Sequence, residues 1–128
     1  MTNGNHDAPA DGKIRSIAGK LISITAPALN EGENLAALCR RITAALTPIT
    51  HNFEIVIADN ASSDDTLPQL RRLSAEDPRV KYVRLSRNFG HQGGLIAGMH
   101  HCAGEIVITM DADLQHPPEV LPKLLERW

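Results

Sequence analysis

Four short apolar segments, separated by three amphipathic ones, constrain the fold of this chain more than any other feature. The apolar segments are residues 21–27, 53–59, 80–86 and 105–111. The first, second and fourth are nearly continuous in Ile, Val and Leu, as in strands covered on both faces, whereas the third alternates apolar with charged residues and is expected nearer a sheet edge. Strands that alternate with helices predict right-handed crossovers and an α/β fold with a mainly parallel sheet flanked by helices.

The three intervening segments have the pattern of helices. A first helix is expected over residues 31–46, because apolar residues recur there at helical spacing. These residues are Leu35, Leu38, Cys39, Ile42 and Leu46. A second helix is expected after Ser63 or Asp64, either of which can cap it, with Pro68 in its first turn. A third, glycine-rich helix is expected over residues 90–104.

Composition limits the class of protein. With 128 residues and 42% hydrophobic content, the chain has the size of one domain with its own core. The 13 basic and 15 acidic residues give a net charge of -2, so nucleic acid is not expected as a partner. No segment approaches the roughly 18 apolar residues that cross a bilayer, and this polypeptide by itself is expected to be soluble.

The two ends of the chain differ from its middle. Residues 1–19 are polar, lack the apolar core of a signal peptide, and are expected to form a disordered lead-in. Residues 20–128 are then the folded domain. The final VLPKLLERW stops within a helical pattern, without the Gly or Asn that commonly follows a helix. We therefore expect a domain that is incomplete at its C-terminus.

Polar loops follow all four predicted strands. Because ligands of parallel sheets bind at the carboxyl ends of the strands, these loops are expected to share one rim. After the fourth strand, Asp111, Asp113 and the Gln115 amide oxygen can approach one point, and such hard oxygens suit Mg²⁺ or Mn²⁺ bridging a diphosphate. In a purely structural interpretation, Asp111 ends the strand while Asp113 caps the helix that begins near Pro117.

Three other rim residues also have two interpretations each. Asp59 can accept hydrogen bonds from a base or ribose, or it can begin a turn. Glu31 can accept from a ligand, or it can stabilise the start of the first helix. Arg87 can pair with a phosphate, or it can remain solvated beside the glycine-rich helix. Among the histidines, only His116 is a candidate for the site, because it follows the aspartates closely.

Together the rim motifs resemble a known family. APALNEGENL, IVIADNASSDDT and VRLSRNFGHQGGLIAGMHHCAGEIVITMDADLQHPPE are similar to the successive motifs of family 2 glycosyltransferases with a GT-A fold. SRNFG followed by DADLQHPPE is most similar to the polyprenyl-phosphate glycosyltransferases, which include dolichyl-phosphate mannose synthase. The resemblance spans residues 21–128. It implies a Rossmann-like GT-A nucleotide-sugar-binding fold, truncated after its donor-binding half.

The resemblance also implies roles for individual residues. It places the nucleotide against a first loop and the end of the second strand, at Pro27, Leu29, Glu31, Ala58 and Asp59. It places the ribose and diphosphate at Asp111, Ala112 and Asp113. Asp111, Asp113 and Gln115 match the ligands of a Mg²⁺ or Mn²⁺ ion, which makes Asp111 and Asp113 the expected catalytic residues.

The implied activity is transfer of a sugar, with inversion, from a UDP- or GDP-sugar to a polyprenyl phosphate, with the UDP-sugar favoured. Membrane association is expected through the missing C-terminal half, at the cytoplasmic face. The alternative is a truncated, non-catalytic module that binds nucleotide sugars. Leu29 replaces a common aromatic residue, and Asn60 and Ala61 replace a usual Asp-Gly pair. Ala61 makes a left-handed backbone costlier than glycine would.

Overall fold

The computed structural model describes residues 17–127, and a parallel four-stranded sheet forms their centre. The strands are β1 (Ile22–Ala28), β2 (Phe53–Asp59), β3 (Val80–Arg84) and β4 (Ile106–Thr109). Their order in the sheet is β3-β2-β1-β4, and all three pairings are parallel. The predicted α/β class is confirmed, and so is the position of the third strand at an edge. Every strand end lies within two residues of its predicted position.

Helices cover both faces of the sheet. They are α1 (Gly32–Leu46), α2 (Thr66–Glu76) and α3 (Gly90–His100), followed by a 3-10 helix (Pro118–Val120) that leads into α4 (Leu121–Glu126). α1 contacts α2, the 3-10 helix and α4, whereas α3 contacts β1, β2 and β4. Right-handed crossovers explain why α3 lies on the opposite face from α1 and α2. The chain moves from β1 to β3 in one direction across the sheet and then returns past β1 to β4 in the other. The five apolar residues predicted for the first helix are all buried.

Two helix boundaries differ from the prediction. The N-cap residue of α2 is Asp65, although Asp64 also contributes, since its carboxylate accepts the Thr66 N–H at 2.9 Å. Pro68 lies in the first turn, as predicted. The third helix ends at His100 and does not continue to residue 104, because the N–H groups of Ala103 and Gly104 donate to side chains of β2 and β1 instead of to the helix.

The predicted disordered lead-in falls mostly outside the described residues, as does Trp128. Its residues 17–19 form a turn, and Ile17 is 1% exposed within the hydrophobic core. Ile17 is therefore part of the core, although it precedes residue 20, where the folded domain is expected to begin. β4 is less covered than predicted, since within the described part of the chain it pairs only with β1, and Val107 is 41% exposed. Among residues 17–127, no helix combines the length and apolar character needed to cross a membrane.

Two glycines allow α3 to lie very close to the sheet. A Cβ atom at Gly98 would lie 2.3 Å from Thr25 Oγ1, and one at Gly94 would lie 3.0 Å from the Pro27 Cβ. The Thr25 hydroxyl is buried and donates to the Val56 carbonyl at 2.8 Å, so it cannot move aside without losing that bond. Glycine at these positions therefore sets the distance between α3 and the sheet.

A second buried contact fixes the chain that leaves α3. The Glu54 side chain is 3% exposed and accepts hydrogen bonds from Ser23 Oγ at 2.6 Å, the Ala103 N–H at 2.7 Å and Lys81 Nζ at 2.8 Å. Burial acts to raise the pKa of Glu54. The bonds from Lys81, Ser23 and Ala103 outweigh burial and hold this pKa below its ordinary value of 4.5.

Replacing Gly98 with alanine should destabilise the fold by about 1–3 kcal/mol, because the added methyl group overpacks the contact with Thr25. Helix propensity alone predicts the opposite sign, since alanine is better than glycine by about 1 kcal/mol inside a helix. Urea unfolding of wild type and Gly98→Ala measures the difference. A variant as stable as wild type would show that α3 does not need its close approach to the sheet.

Replacing Glu54 with glutamine should give a stability loss that depends on pH. Because the pKa of Glu54 is lowered by folding, its ionised form adds stability above the unfolded pKa, and this is lost as the pH falls through the folded pKa. The difference in free energy of unfolding between wild type and Glu54→Gln should therefore narrow on acidification. Urea titrations between about pH 7 and about pH 3 measure it. A constant difference would contradict the assignment to the Glu54 carboxylate.

Candidate functional site

The carboxyl ends of β1, β2 and β4 meet at one edge of the sheet, beside a cleft of about 330 Å³. Four loops line this cleft: those after the four strands. The lining residues are Pro27, Ala28, Leu29, Glu31, Asn60, Asn88, Gly90, His91, Asp111, Ala112 and Asp113. All the predicted site residues of the first loop are among them, as are three of the four from the last loop. The predicted shared rim is therefore present in the structure.

Asp111 and Asp113 both line the cleft. The Met110 N–H donates to the Thr25 carbonyl at 3.0 Å, which holds the chain beside β1 up to the residue before Asp111. Ala112 is 3% exposed and anchors the segment between the two acids. The Asp111 side chain is 36% exposed and Asp113 is exposed. Both carboxylates can therefore reach a ligand without first being freed from the core.

Gln115 contributes to this loop through its backbone. Its N–H donates to Asp113 Oδ1 at 3.1 Å, while its residue is exposed and does not line the cleft. Leu114, which precedes it, has a φ of 68°, so the chain turns sharply away after Asp113. Of the three predicted metal ligands, the structure brings Asp111 and Asp113 together and leaves the Gln115 side chain outside.

Two imidazole rings flank the Asp111 carboxylate. His116 Nδ1 lies 3.6 Å from Asp111 Oδ2, and His91 Nε2 lies 4.0 Å from Asp111 Oδ1. His116 was singled out from the sequence, but His91 was not, because the α3 N-terminus that carries it is far from Asp111 along the chain. Both rings are mostly exposed. They narrow the approach to Asp111 without burying it.

The donor set at the cleft fits a divalent ion of the Mg²⁺ or Mn²⁺ kind. Among residues 17–127, no group of three His, Cys, Asp or Glu side chains is arranged to hold a metal. A closed structural zinc site, which needs four protein ligands, therefore does not fit. Mg²⁺ is commonly held by one or two carboxylates, while water and substrate phosphates complete its shell. Asp111 and Asp113 beside an open cleft match that requirement.

Asp59 and Ala58, predicted to contact the base, are fully buried and do not line the cleft. Asp59 Oδ1 accepts the Ser62 N–H at 3.0 Å, and Asp59 Oδ2 accepts Arg84 Nη1 at 3.2 Å. Arg84 also donates to the Ser62 carbonyl at 3.3 Å. The Asp59 carboxylate thus organises the turn that follows β2, which is the structural interpretation considered for it from the sequence.

The loop after β1 is held against the loop after β2. Asn30 has a φ of 57°, and its side-chain oxygen accepts the N–H groups of Ser63 at 2.9 Å and Asp64 at 3.2 Å. Glu31 accepts a bond from the Asn34 side chain at 2.8 Å. Leu29, which is 44% exposed, is thereby presented as an apolar surface at the cleft.

Arg87, the predicted phosphate ligand, does not line the cleft. Its guanidinium carbon lies 4.1 Å from the centre of the Phe89 ring, in a cation–π contact. Phe89 is 46% exposed, so this pair lies on the surface next to the cleft.

Besides His91, three residues that shape the site are not predicted from the sequence: Arg84, Asn60 and Asn88. Arg84 was seen only as a polar position in an alternating strand, and its pairing with Asp59 depends on the register of β2 and β3. The sequence shows Asn60 only as a replacement for a usual aspartate. Asn60 and Asn88 could have been found from their positions, because both follow strands whose carboxyl ends form the rim.

Comparison with solved structures shows a known architecture. The mannosyltransferase PcManGT from Pyrobaculum calidifontis, solved in complex with GDP-Man and Mn²⁺, matches with a TM-score of 0.71. The match covers 94% of this chain and 40% of that one, at 22% sequence identity. At this identity the similarity shows the fold alone.

Relatives by sequence are longer proteins. The undecaprenyl-phosphate 4-deoxy-4-formamido-L-arabinose transferase of Pseudomonas fluorescens (strain SBW25) is 43% identical over 107 residues, which are 83% of this chain and 31% of that protein. CsbB of Bacillus subtilis (strain 168) is 42% identical over 108 residues, 84% of this chain and 33% of that protein. The chain thus spans about a third of the length of the curated relatives it matches.

The sequence model described as glycosyl transferase family 2 matches residues 23–128, which includes every residue that lines the cleft. The four-stranded parallel sheet, with the cleft at the carboxyl ends of its strands, is the Rossmann-like arrangement of GT-A enzymes. On this match and this fold, the chain belongs to glycosyl transferase family 2.

Proposed function

We propose that this chain forms the donor-binding part of a glycosyltransferase that moves a sugar from a nucleoside diphosphate to a polyprenyl phosphate. A UDP-sugar is the favoured donor, as the resemblance of the rim motifs suggests. The Pseudomonas fluorescens relative supports the acceptor, since it is named for transfer to undecaprenyl phosphate. In this proposal, membrane association and acceptor binding involve parts of the relatives that have no counterpart in this chain.

One observation carries the proposal: Asp111 and Asp113 line the same cleft as Leu29 and Glu31. A nucleoside diphosphate needs an apolar or stacking surface for its base and compensation for its phosphate charge. Leu29 offers the apolar surface for the base, and the two aspartates offer ligands for a cation that compensates the phosphate charge. These groups lie at the end of the sheet where parallel α/β folds bind their ligands.

The proposed mechanism is direct displacement at the anomeric carbon with inversion. The bond between that carbon and the diphosphate oxygen breaks, its electron pair leaves with the diphosphate, and an oxygen of the lipid phosphate forms the new bond. A Mg²⁺ or Mn²⁺ ion held by Asp111 and Asp113 would offset the charge on the departing diphosphate. Because a phosphate oxygen is already anionic at neutral pH, a strong general base is not required.

The residues of this chain act mainly by positioning the donor. Leu29 contacts the base without the stacking that an aromatic residue would add, so the affinity for nucleotide alone should be modest. Ala112, between the two acids, keeps its small side chain in the core and fixes the spacing of the carboxylates. Asp59 and Arg84 hold the turn after β2, and so act on the cleft indirectly.

Calorimetric titration of UDP and GDP, with and without Mn²⁺, tests the donor site in this chain. We expect binding that requires Mn²⁺ and is stronger for UDP. Asp113→Ala should weaken it by at least about tenfold, because loss of an outer-sphere partner already costs metal sites 10- to 100-fold. Glu105→Ala is the matched control, since Glu105 is an exposed acid outside the cleft. Equal losses in both variants, or binding without Mn²⁺, would contradict the proposed roles.

A transfer assay with a polyprenyl phosphate separates the enzyme from the alternative of a non-catalytic nucleotide-sugar-binding module. A longer protein containing this domain should form the glycosylated lipid phosphate, and should lose that activity with Asp113→Ala. Mn²⁺-dependent UDP binding without any transfer by the longer protein would favour the non-catalytic module.

A further inference from the structure

We propose that Asn60 is a positioning residue of the cleft. Its side chain holds the start of α3, which forms one wall of the cleft, in place. This inference rests on the proposed function, because it concerns the same nucleotide-binding cleft. Asn60 lines the cleft, yet its residue is only 3% exposed. A buried amide side chain must find hydrogen-bond partners, and the partners of Asn60 define its role.

The Asn60 side chain binds the N-cap residue of α3 and the first residue of that helix. Its Oδ1 accepts the Phe89 N–H at 3.0 Å, and its Nδ2 donates to the Gly90 carbonyl at 2.9 Å. An amide can accept and donate at the same time, whereas a carboxylate can only accept. This chain uses both functions of the amide, so an aspartate, the usual residue of the family at this position, could keep the bond to Phe89 but not the bond to Gly90.

The Asn60 backbone extends the connection to a third wall of the cleft. Its N–H donates to the Ala28 carbonyl at 2.9 Å, at the end of β1. One residue thus joins the end of β1, the end of β2 and the loop before α3. Ala28 and Gly90 both line the cleft, so their separation depends on Asn60.

The surroundings of Asn60 are shaped to receive it. A Cβ atom at Gly94 would lie 3.2 Å from Asn60 Nδ2, which is tighter than ordinary contact, so the glycine leaves room for the amide. Asn88 supports the same loop from within, because its Oδ1 accepts the Gly90 N–H at 2.8 Å. Gly90 has a φ of 81°, a conformation that glycine adopts easily. Both polar groups of Gly90 are therefore bound by asparagine side chains.

Gly90 and His91 connect the bonds of Asn60 to the shape of the cleft. Both lie at the first turn of α3 and both line the cleft, and His91 faces the Asp111 carboxylate across it. If Asn60 released Gly90, the first turn of α3 could move away from Asp111. The width of the cleft at the proposed diphosphate position would then be less well defined, and nucleotide affinity would fall.

The test uses Asn60→Asp, which keeps the size of the side chain but places a carboxylate oxygen against the Gly90 carbonyl. The matched control is Asn52→Asp, because Asn52 also donates its amide to a glycine carbonyl, that of Gly19 at 3.3 Å, but outside the cleft. Two measurements are made on each protein: protection of backbone amides from hydrogen exchange by NMR without ligand, and titration of UDP with Mn²⁺.

For Asn60→Asp we expect the amides of Phe89 and Gly90 to lose protection by about tenfold, while the core amides of β1 and β2 keep theirs. UDP affinity should fall by about tenfold, the effect of one lost hydrogen bond of about 1.4 kcal/mol. Asn52→Asp should change neither quantity at the cleft. This combination distinguishes a positioning role from a general loss of stability, which would lower protection across the sheet.

Three outcomes would overturn the proposal. They are unchanged protection of Phe89 and Gly90 in Asn60→Asp, loss of that protection with unchanged UDP affinity, and an equal loss of UDP affinity in Asn52→Asp. If wild type binds no nucleotide, the proposed function fails separately. The exchange measurement then still decides whether Asn60 holds the loop.

Discussion

The parallel pairing of β1 with both of its neighbours is the interaction on which the rest of the structure depends. β1 lies between β2 and β4, with Ala28 opposite Asp59 and Thr25 opposite Thr109. This register brings the ends of three strands to one edge, although residues 28 and 111 are far apart along the chain. A shift of one residue would turn the core side chains of β1 to the opposite face. The existence of the cleft therefore depends first on the register of the strands, and only then on the residues that line it.

The strands and helices could be predicted from the sequence, because the patterns that indicate them involve residues close together in the chain. The apolar runs and the helical spacing in α1 each report on neighbouring residues, and they located the elements to within a few positions. The predicted rim at the strand ends followed from the parallel arrangement alone. Asp111 and Asp113 were placed in the cleft for the same reason, since they follow a strand whose end lies beside that of β1.

What the sequence did not predict depends on contacts between distant residues. The sequence leaves Asp59 either facing a ligand or beginning a turn, and does not predict that Arg84 donates to it from β3. The sequence leaves Arg87 either paired with a phosphate or solvated, and does not predict the Phe89 ring 4.1 Å from its guanidinium carbon. The sequence shows Asn60 only as a replacement for a usual aspartate, whereas in the structure its side chain binds the first residue of α3, 30 residues away. Each case requires the register and the path of a loop, which single-residue preferences do not contain.

The loops that form the cleft also contain backbone strain. Three non-glycine residues among those described have a positive φ: Asn30 at 57°, Ala61 at 64° and Leu114 at 68°. They lie one each in the loops after β1, β2 and β4. A left-handed conformation costs about 1–2 kcal/mol for a residue with a Cβ atom, and asparagine tolerates it best.

Ala61 and Leu114 have no such tolerance, so the hydrogen bonds around them must hold the turns. The bonds from Ser62 and Arg84 to Asp59 do this beside Ala61, and the Gln115 N–H to Asp113 does it beside Leu114. Asp59 and Asp113 therefore contribute to the shape of the cleft even where they touch no ligand, because each stabilises a turn that its sequence disfavours.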